Sequence, residues 1–291
     1  MTMHSQIVVL GGGPGGYAAA FLAADLGLEV TIVEVDPRLG GTCLLRGCIP
    51  SKALLHVAKV ISEAGEMAQW GVEFSKPRLQ LDRMRARRDE VLATLSGGLA
   101  QLAKRRKVRI INARGIFVDS QTLQLEGGDK STYESERITF DHCILATGSI
   151  PAMPKQFKVS PRVMDSTGAL ALEDVPTAML VVGGGYIGLE MGTVYAELGS
   201  AVTVVELLDG LLPGADRDLV KPLEQRLRTK FAGIHLGTKV VELKDAGDKV
   251  EVKMEGPEVN GTFLYDRVLV SIGRRPVTSG IGLENTRVKI N

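Results

Sequence analysis

Residues 7–16 read Ile-Val-Val-Leu-Gly-Gly-Gly-Pro-Gly-Gly, and residues 179–188 read Met-Leu-Val-Val-Gly-Gly-Gly-Tyr-Ile-Gly. The two stretches lie 172 residues apart, and their similarity extends outward on the C-terminal side. Each opens with four apolar residues bounded by glycine, the pattern of a strand buried on both faces of a parallel sheet. A helical stretch follows and stops at Leu26-Gly27 in one copy and at Leu198-Gly199 in the other, with glycine as the terminator. Next comes a second apolar strand, residues 30–33 or 202–205. It closes on Glu34 or Glu206, 23 residues after the first glycine of its motif.

A lone G-x-G-x-x-G carries little information, but here each copy sits between a strand and a helix and has an acidic residue at the end of the second strand. That is the complete dinucleotide fingerprint. Its first glycine permits a tight turn, the second lets the backbone approach a pyrophosphate, and the third lets helix and strand pack closely. The helix N-terminus offers unsatisfied N–H groups to the phosphates. Glu34 and Glu206 are expected to accept hydrogen bonds from ribose hydroxyls. Two fingerprints imply two dinucleotides. At the second, the Glu206 carboxylate repels a 2′-phosphate and Leu207-Leu208-Asp209-Gly210 offers no arginine, so NAD is expected rather than NADP.

The bulk numbers agree with this reading. A chain of 291 residues predicts about two domains. Thirty-five basic against 34 acidic residues give a net charge of +1, which speaks against nucleic acid as a partner. Three cysteines are too few for a secreted disulfide scaffold and point to a reducing, cytoplasmic setting. No run of about 18 apolar residues is present, so no membrane association is expected.

Between the repeats, residues 52–70 and 79–106 show helical spacing. The basic runs at 83–88 and 104–107 read as solvated helix faces, with cations near a helix C-terminus. Residues 108–112, 115–118, 122–125 and 140–145 read as strands, and three prolines within 150–161 suggest a crossing between domains. Past the second repeat, strands are expected at 240–243, 250–254 and 268–272.

The remaining chemistry lies in Gly40-Gly41-Thr42-Cys43-Leu44-Leu45-Arg46-Gly47-Cys48-Ile49-Pro50-Ser51-Lys52. On a regular helix, residues five apart have Cα atoms roughly 8–9 Å apart, whereas a disulfide needs less than about 7 Å. A bridge between Cys43 and Cys48 therefore needs a distorted helix start, for which Gly47 and Pro50 are suited. A helix N-terminus and Lys52 would favour a thiolate, and one thiol could exchange with an external dithiol. Two structural cysteines or half a metal site are the other readings, although no second Cys or His cluster stands at ligand spacing. Cys143, within an apolar strand, reads as core. None of the four histidines, His4, His56, His142 and His235, has a partner arrangement that would make it a base.

The two fingerprints and the Cys43–Lys52 stretch together resemble the flavin-dependent pyridine nucleotide–disulfide oxidoreductases. The closest resemblance is to those members that oxidise protein-bound dihydrolipoyl groups with NAD, and it covers essentially the whole chain. It implies an α/β fold of two Rossmann-like FAD/NAD(P)-binding domains with a ββα-type three-layer architecture. Residues 1–150 would be the first part of the FAD-binding domain, 151–272 the NAD-binding domain, and 273–291 the start of a return to the FAD domain. Carried over by position, FAD would be held by Gly11, Gly13, Gly16, Glu34, Thr42, Lys52, Gly115, Thr147, Gly148 and Ser149. NAD would be held by Gly183, Gly185, Tyr186, Ile187, Gly188, Glu206, Val240 and Gly273, with Tyr186 gating the nicotinamide. Cys43 would be the interchange thiol and Cys48 the thiol facing the flavin, while Lys52 would pair with Glu190 near the flavin. Lipoyl domains of 2-oxo acid dehydrogenase complexes are the implied partners. The family's C-terminal dimerisation domain, with its His-Glu pair, is not found before Asn291, so a truncated, poorly active chain is expected and a homodimer is doubtful. A related flavin reductase with another substrate and a non-catalytic nucleotide-binding module are the alternatives. Leu45-Arg46 stands where the family commonly has Asn-Val, a new cation that could shift thiol reactivity.

Overall fold

A computed structural model describes residues 2–290. Met1 and Asn291, which end the expected ranges, lie outside the described residues. In chain order the elements are β1 (Met3–Leu10), α1 (Pro14–Asp25), β2 (Val30–Glu34), α2 (Gly41–Arg46), α3 (Cys48–Glu66), α4 (Leu81–Arg105), β3 (Arg109–Asn112), β4 (Arg114–Asp119), β5 (Thr122–Glu126), β6 (Arg137–Leu145) and β7 (Ser149–Pro151). They continue with β8 (Val163–Met164), α5 (Ser166–Ala171), β9 (Ala178–Val182), α6 (Tyr186–Leu198), β10 (Ala201–Val205), α7 (Arg217–Lys230), β11 (Gly233–His235), β12 (Lys239–Asp245), β13 (Val250–Glu255), β14 (Asn260–Tyr265), β15 (Arg267–Val270) and β16 (Arg274–Pro276).

The chain divides into two compact units. One comprises residues Met1–Ile49, Asp89–Ile150 and Arg275–Asn291, the other Pro50–Arg88 and Pro151–Arg274. These limits differ from the sequence-based ranges in that residues 50–88 group with the second unit. The reason is packing: Leu54 joins the buried core around α6, and Leu55, Ile61, Leu79, Leu81 and Met84 pack against it.

The first unit is built on a sheet of order β3-β2-β1-β6-β5-β4. The strands β3, β2, β1 and β6 are parallel, and β5 and β4 extend the sheet antiparallel. Side chains alternate across the parallel strands. Val9 and Ile32 face α1 and α4, with Ala20, Ala23 and Ala103. Val8, Leu10 and Val33 face the other way, onto Phe117, Leu123 and Phe140. Helix, parallel sheet and β-layer make the three layers that the resemblance implied. The small alanines let α1 lie close on the sheet, while Pro14 at its first position fixes φ for the first turn.

The second unit repeats the plan. Its parallel sheet has the order β11-β10-β9-β15-β8, and a separate antiparallel meander runs β12-β13-β14. Met179, Val181, Val202 and Val204 pack toward α6. Leu180, Val182 and Val205 pack with Val250, Val252 and Met254. Each fully buried aliphatic side chain contributes roughly 1.5–3 kcal/mol, so the two faces of each central strand carry most of its stabilisation.

Elements not anticipated from sequence include α2, α5, α7, β8, β11 and β14. The Arg83–Arg88 run also differs from the solvated-face reading. Arg85 Nη1 donates to the carbonyl of Leu172 at 2.7 Å, and Arg88 Nη1 donates to those of Leu170 and Ala171. Both satisfy carbonyls at the C-terminus of α5, which has no intrahelical donors left for them.

Candidate functional site

The glycines of the two fingerprints divide into the roles expected of them. Gly11 and Gly183 have φ of 110° and 111°, left-handed values that side chains resist. A methyl there would lie 2.2 Å from the Ala146 carbonyl oxygen and 2.5 Å from that of Ser271, respectively. At Gly16 and Gly188 a methyl would strike the carbonyl oxygen of Gly11 or Gly183, at 1.8 and 2.3 Å. The third glycine therefore packs its helix onto the turn. Gly13 and Gly185 are the N-caps of α1 and α6, and neither helix has a side-chain cap. Nothing lies within 4 Å of a methyl placed at Gly185, and only Gly41 Cα comes near one at Gly13, at 3.6 Å. Each helix thus begins with amides that no side chain satisfies, beside a backbone an anion can approach. A pyrophosphate fits both turns.

Glu34 and Glu206 are buried, and they hold equivalent positions. Glu34 Oε2 accepts from the Gly12 amide at 2.5 Å and Oε1 from the Asp36 amide at 2.8 Å. Glu206 Oε2 accepts from Gly184 at 2.6 Å and Oε1 from Leu208 at 2.9 Å. Each carboxylate is locked by its own turn and retains lone pairs for a ribose hydroxyl. Burial pushes the Glu34 carboxyl up, opposed by the amides of Asp36 and Gly12. Sequence reasoning missed the reason for glycine at the second position of each motif. The Leu39 side chain stands beside Gly12 and the Leu211 side chain beside Gly184, each 2.6 Å from where a methyl on that glycine would lie. Continuing the 172-residue alignment five positions past the glutamates would have paired these leucines.

In the first unit the cysteine stretch begins against the fingerprint. A methyl on Gly41 would lie 2.6 Å from Gly13 Cα, and Gly41 has φ 54°. Thr42 Oγ1 reaches the Ser149 carbonyl at 3.5 Å. Thr147 Oγ1 donates to Val277 at 2.7 Å, and the Gly148 carbonyl accepts from the Val277 amide at 3.0 Å. The structure therefore brings Gly11, Gly13, Gly16, Thr42, Thr147, Gly148 and Ser149 to the ends of β1 and β6. Gly115 lies elsewhere, in β4, where its missing side chain makes room for Leu10, Val33 and Leu123.

Cys43 lies in α2 and Cys48 begins α3. Gly47 between them has φ −150° and ψ −111°, outside any helix. A methyl at Gly47 would stand 2.9 Å from the Thr42 carbonyl oxygen and 3.5 Å from Cys43 Cα. The chain folds back over Thr42 and Cys43 before Cys48 starts a new helix, so the two cysteines do not share one regular helix. Burial raises the Tyr17 hydroxyl, and nearby Cys43 adds to that shift. Arg46 forms an ion pair with Asp36, so the unusual cation of the motif is directed at the loop after Glu34. Cys143 is half-buried in β6, its thiol pushed up to about 12 by burial.

In the second unit Lys52 Nζ meets Glu190 Oε1 at 2.7 Å, and Ser51 Oγ donates to the other carboxylate oxygen at 2.9 Å. Ser51 was not singled out from sequence, yet it fixes the rotamer that presents Glu190 to Lys52. Tyr186 is the first residue of α6 and 61% exposed. Ile187 is half-buried beside it. Gly273 has φ 123° just beyond β15. Val240 differs: its side chain is buried in the core with Val252 and Met254, so only its backbone could meet a ligand.

Two sheets that share a four-strand parallel order, each with an uncapped glycine turn and an acidic strand end, define a double dinucleotide-binding protein of the flavin disulfide-reductase type. Residues 5–291 match the pyridine nucleotide-disulphide oxidoreductase family, and the chain belongs to it. FAD and NAD(H) are the cofactors this membership implies. The chain is 50% identical over 275 residues to the dihydrolipoyl dehydrogenase of Haemophilus influenzae, covering 94% of this chain and 57% of that protein. Its fold is similar to that of LpdA from Mycobacterium tuberculosis, with TM-score 0.86 at 27% identity, covering 100% of this chain and 62% of that one. It is also similar to the HOCl-induced flavoprotein disulfide reductase RclA from Escherichia coli, with TM-score 0.82 at 27% identity, covering 100% and 61%. The chain thus spans about three fifths of the length of these relatives. Among the described residues no helix is long and apolar enough to cross a membrane.

Proposed function

We propose that this chain carries the thiol and dinucleotide machinery of an NAD-dependent dihydrolipoyl dehydrogenase, acting on protein-bound dihydrolipoamide in a cytoplasmic setting. The observation that carries this reading is the break at Gly47. It sets two cysteines at the heads of successive helices, beside a turn built for a pyrophosphate.

The sulfur atoms of the first exchange come from this chain and the substrate. One lipoyl thiolate attacks Cys43 of a Cys43–Cys48 disulfide, forming a mixed disulfide and releasing Cys48 as a thiolate. The second lipoyl thiolate then attacks the lipoyl sulfur bonded to Cys43, which closes the lipoyl disulfide and frees Cys43. Two electrons have passed from the lipoyl dithiolate to the cysteine pair, and the two protons given up when the lipoyl thiols ionise go to solvent. When bound, FAD supplies the two-electron relay that lets NAD reoxidise the pair. The N-terminus of α3 stabilises the Cys48 thiolate. Lys52, held by Glu190, keeps a fixed positive charge, and Glu206 disfavours a cofactor carrying a 2′-phosphate. Lipoyl domains of 2-oxo acid dehydrogenase complexes are the partners this reading implies.

The visible spectrum tests the reading. The protein should be yellow and should gain long-wavelength absorbance when dihydrolipoamide is added, with the band abolished in Cys48→Ser. Colourless protein that binds only NADH would refute the thiol chemistry and leave a nucleotide-binding module.

A further inference from the structure

The segment after Glu206 forms a ring closed on Gly184. The Glu206 carboxylate accepts from the Gly184 amide at 2.6 Å, and the Gly184 carbonyl accepts from the Leu212 amide at 2.9 Å. Leu211, fully buried, fills the space beside Gly184. To make this return, Leu212 adopts φ 50°, a left-handed conformation that a residue with a Cβ resists. Something must hold it there.

Arg217, the first residue of α7, does so. Its Nη1 donates to the Leu211 carbonyl at 2.9 Å and its Nη2 to that of Leu212 at 2.7 Å. Nε and Nη2 both reach the Ala215 carbonyl, at 3.1 and 2.9 Å. The planar guanidinium fork can span three carbonyls where an ammonium cannot. The same device occurs at Leu172, whose φ is 52° and whose carbonyl accepts from Arg85. In the first unit the corresponding return is made by Gly40, φ 137°, whose amide donates to the Gly12 carbonyl. Glycine needs no such brace there.

We infer that Arg217 is a positioning residue for dinucleotide specificity. By bracing the left-handed Leu212 it keeps the 207–215 loop closed on Gly184, and so holds the Glu206 carboxylate at the strand end where it selects NADH over NADPH. Arg217 also lies beside Gly210, with Nη1 2.8 Å from a methyl placed there. Its cation is nevertheless spent on carbonyls rather than offered to a 2′-phosphate. The inference rests on the reading that the second crevice holds a nicotinamide dinucleotide.

The test is direct titration of the full chain with NADH and NADPH, followed by nucleotide fluorescence, for wild type, Arg217→Met, Arg217→Lys and Leu212→Gly/Arg217→Met. Wild type should favour NADH by about tenfold or more. Arg217→Met should lose about fivefold in NADH affinity and narrow the NADH to NADPH ratio, with Arg217→Lys intermediate. Replacing Leu212 by glycine removes the strained conformation, so the double variant should regain most of the ratio, a rescue that a general role in starting α7 would not give. If Arg217→Met fails to fold, the lysine and double variants report the same comparison. An unchanged ratio in Arg217→Met or Arg217→Lys, or no rescue by Leu212→Gly, overturns the inference while leaving the crevice reading intact. Wild type that binds neither nucleotide overturns the crevice reading and the inference with it.

Discussion

The two units contain the same turn twice, and the loops behind those turns are built from different parts. Behind Glu34 the chain returns through Gly40 and is fastened by the Arg46–Asp36 ion pair and by Asn112, whose amide donates to the carbonyls of Glu34 and Asp36 at 3.0 and 2.7 Å. Behind Glu206 it returns through the left-handed Leu212, with Arg217 on the carbonyls. What is shared follows from the ligand: a turn a phosphate can enter and a fixed carboxylate. What differs is how each loop is braced, and any brace that closes the ring on Gly12 or Gly184 serves.

The largest effects expected are at the third glycines. Gly16→Ala forces a methyl to 1.8 Å from the Gly11 oxygen and should destabilise by about 3 kcal/mol or more, since backbone cannot yield as a side chain does. Gly188→Ala, with 2.3 Å to the Gly183 oxygen, should cost less. Urea unfolding of both variants decides it, and an equal, small loss would mean the two turns are looser than their equivalence implies. Leu211→Ala and Leu39→Ala empty buried sites and should each cost about 2–3 kcal/mol. Calorimetry should rank Leu211, 0% exposed, at or above Leu39, 3% exposed. Gly185→Ala separates binding from folding. With nothing within 4 Å its unfolding midpoint should stay near wild type, while NADH binding weakens because the methyl occupies the phosphate approach.

Glu34 gives a pH dependence of definite sign. Its carboxyl is raised by burial, so between the ordinary glutamate value and the raised one the native state holds more protons than the unfolded chain. Stability from this group therefore falls as pH rises through that window and is level above it. Glu34→Gln should flatten that limb in urea titrations across pH, and an unchanged slope would show that the carboxylate is not the group responsible. The smallest effect is expected at the first loop's brace. With Arg46 40% and Asp36 22% exposed, Arg46→Leu should cost under about 1 kcal/mol in chemical denaturation.

Much of this was legible because it is local. Strand, glycine turn, helix and acidic strand end occupy about 28 consecutive residues in each copy, and periodicity with glycine spacing reveals them. The cysteine stretch was equally plain, and Gly47 between the cysteines foretold the break. The residues that escaped notice depend on distant partners. Ser51 gains meaning only when Glu190, 139 residues away, accepts its hydroxyl. Arg85 and Arg88 look like a solvated face until the end of α5, more than 80 residues on, takes their donors. Helix α7 was obscured by its polar sequence and Pro222, and it is held by the packing of Val220 and Leu227.

The amino-acid order alone determined that the chain folds around two nucleotide turns and carries a cysteine pair, because glycine's missing side chain and the helix and strand periods act over a few neighbouring residues. Tertiary structure decided that residues 50–88 belong with the second core, that the motif's cation serves Asp36, and that a strained leucine replaces a glycine behind Glu206. Those outcomes depend on which buried surfaces and unsatisfied carbonyls meet when far-separated segments pack, and no local pattern encodes that.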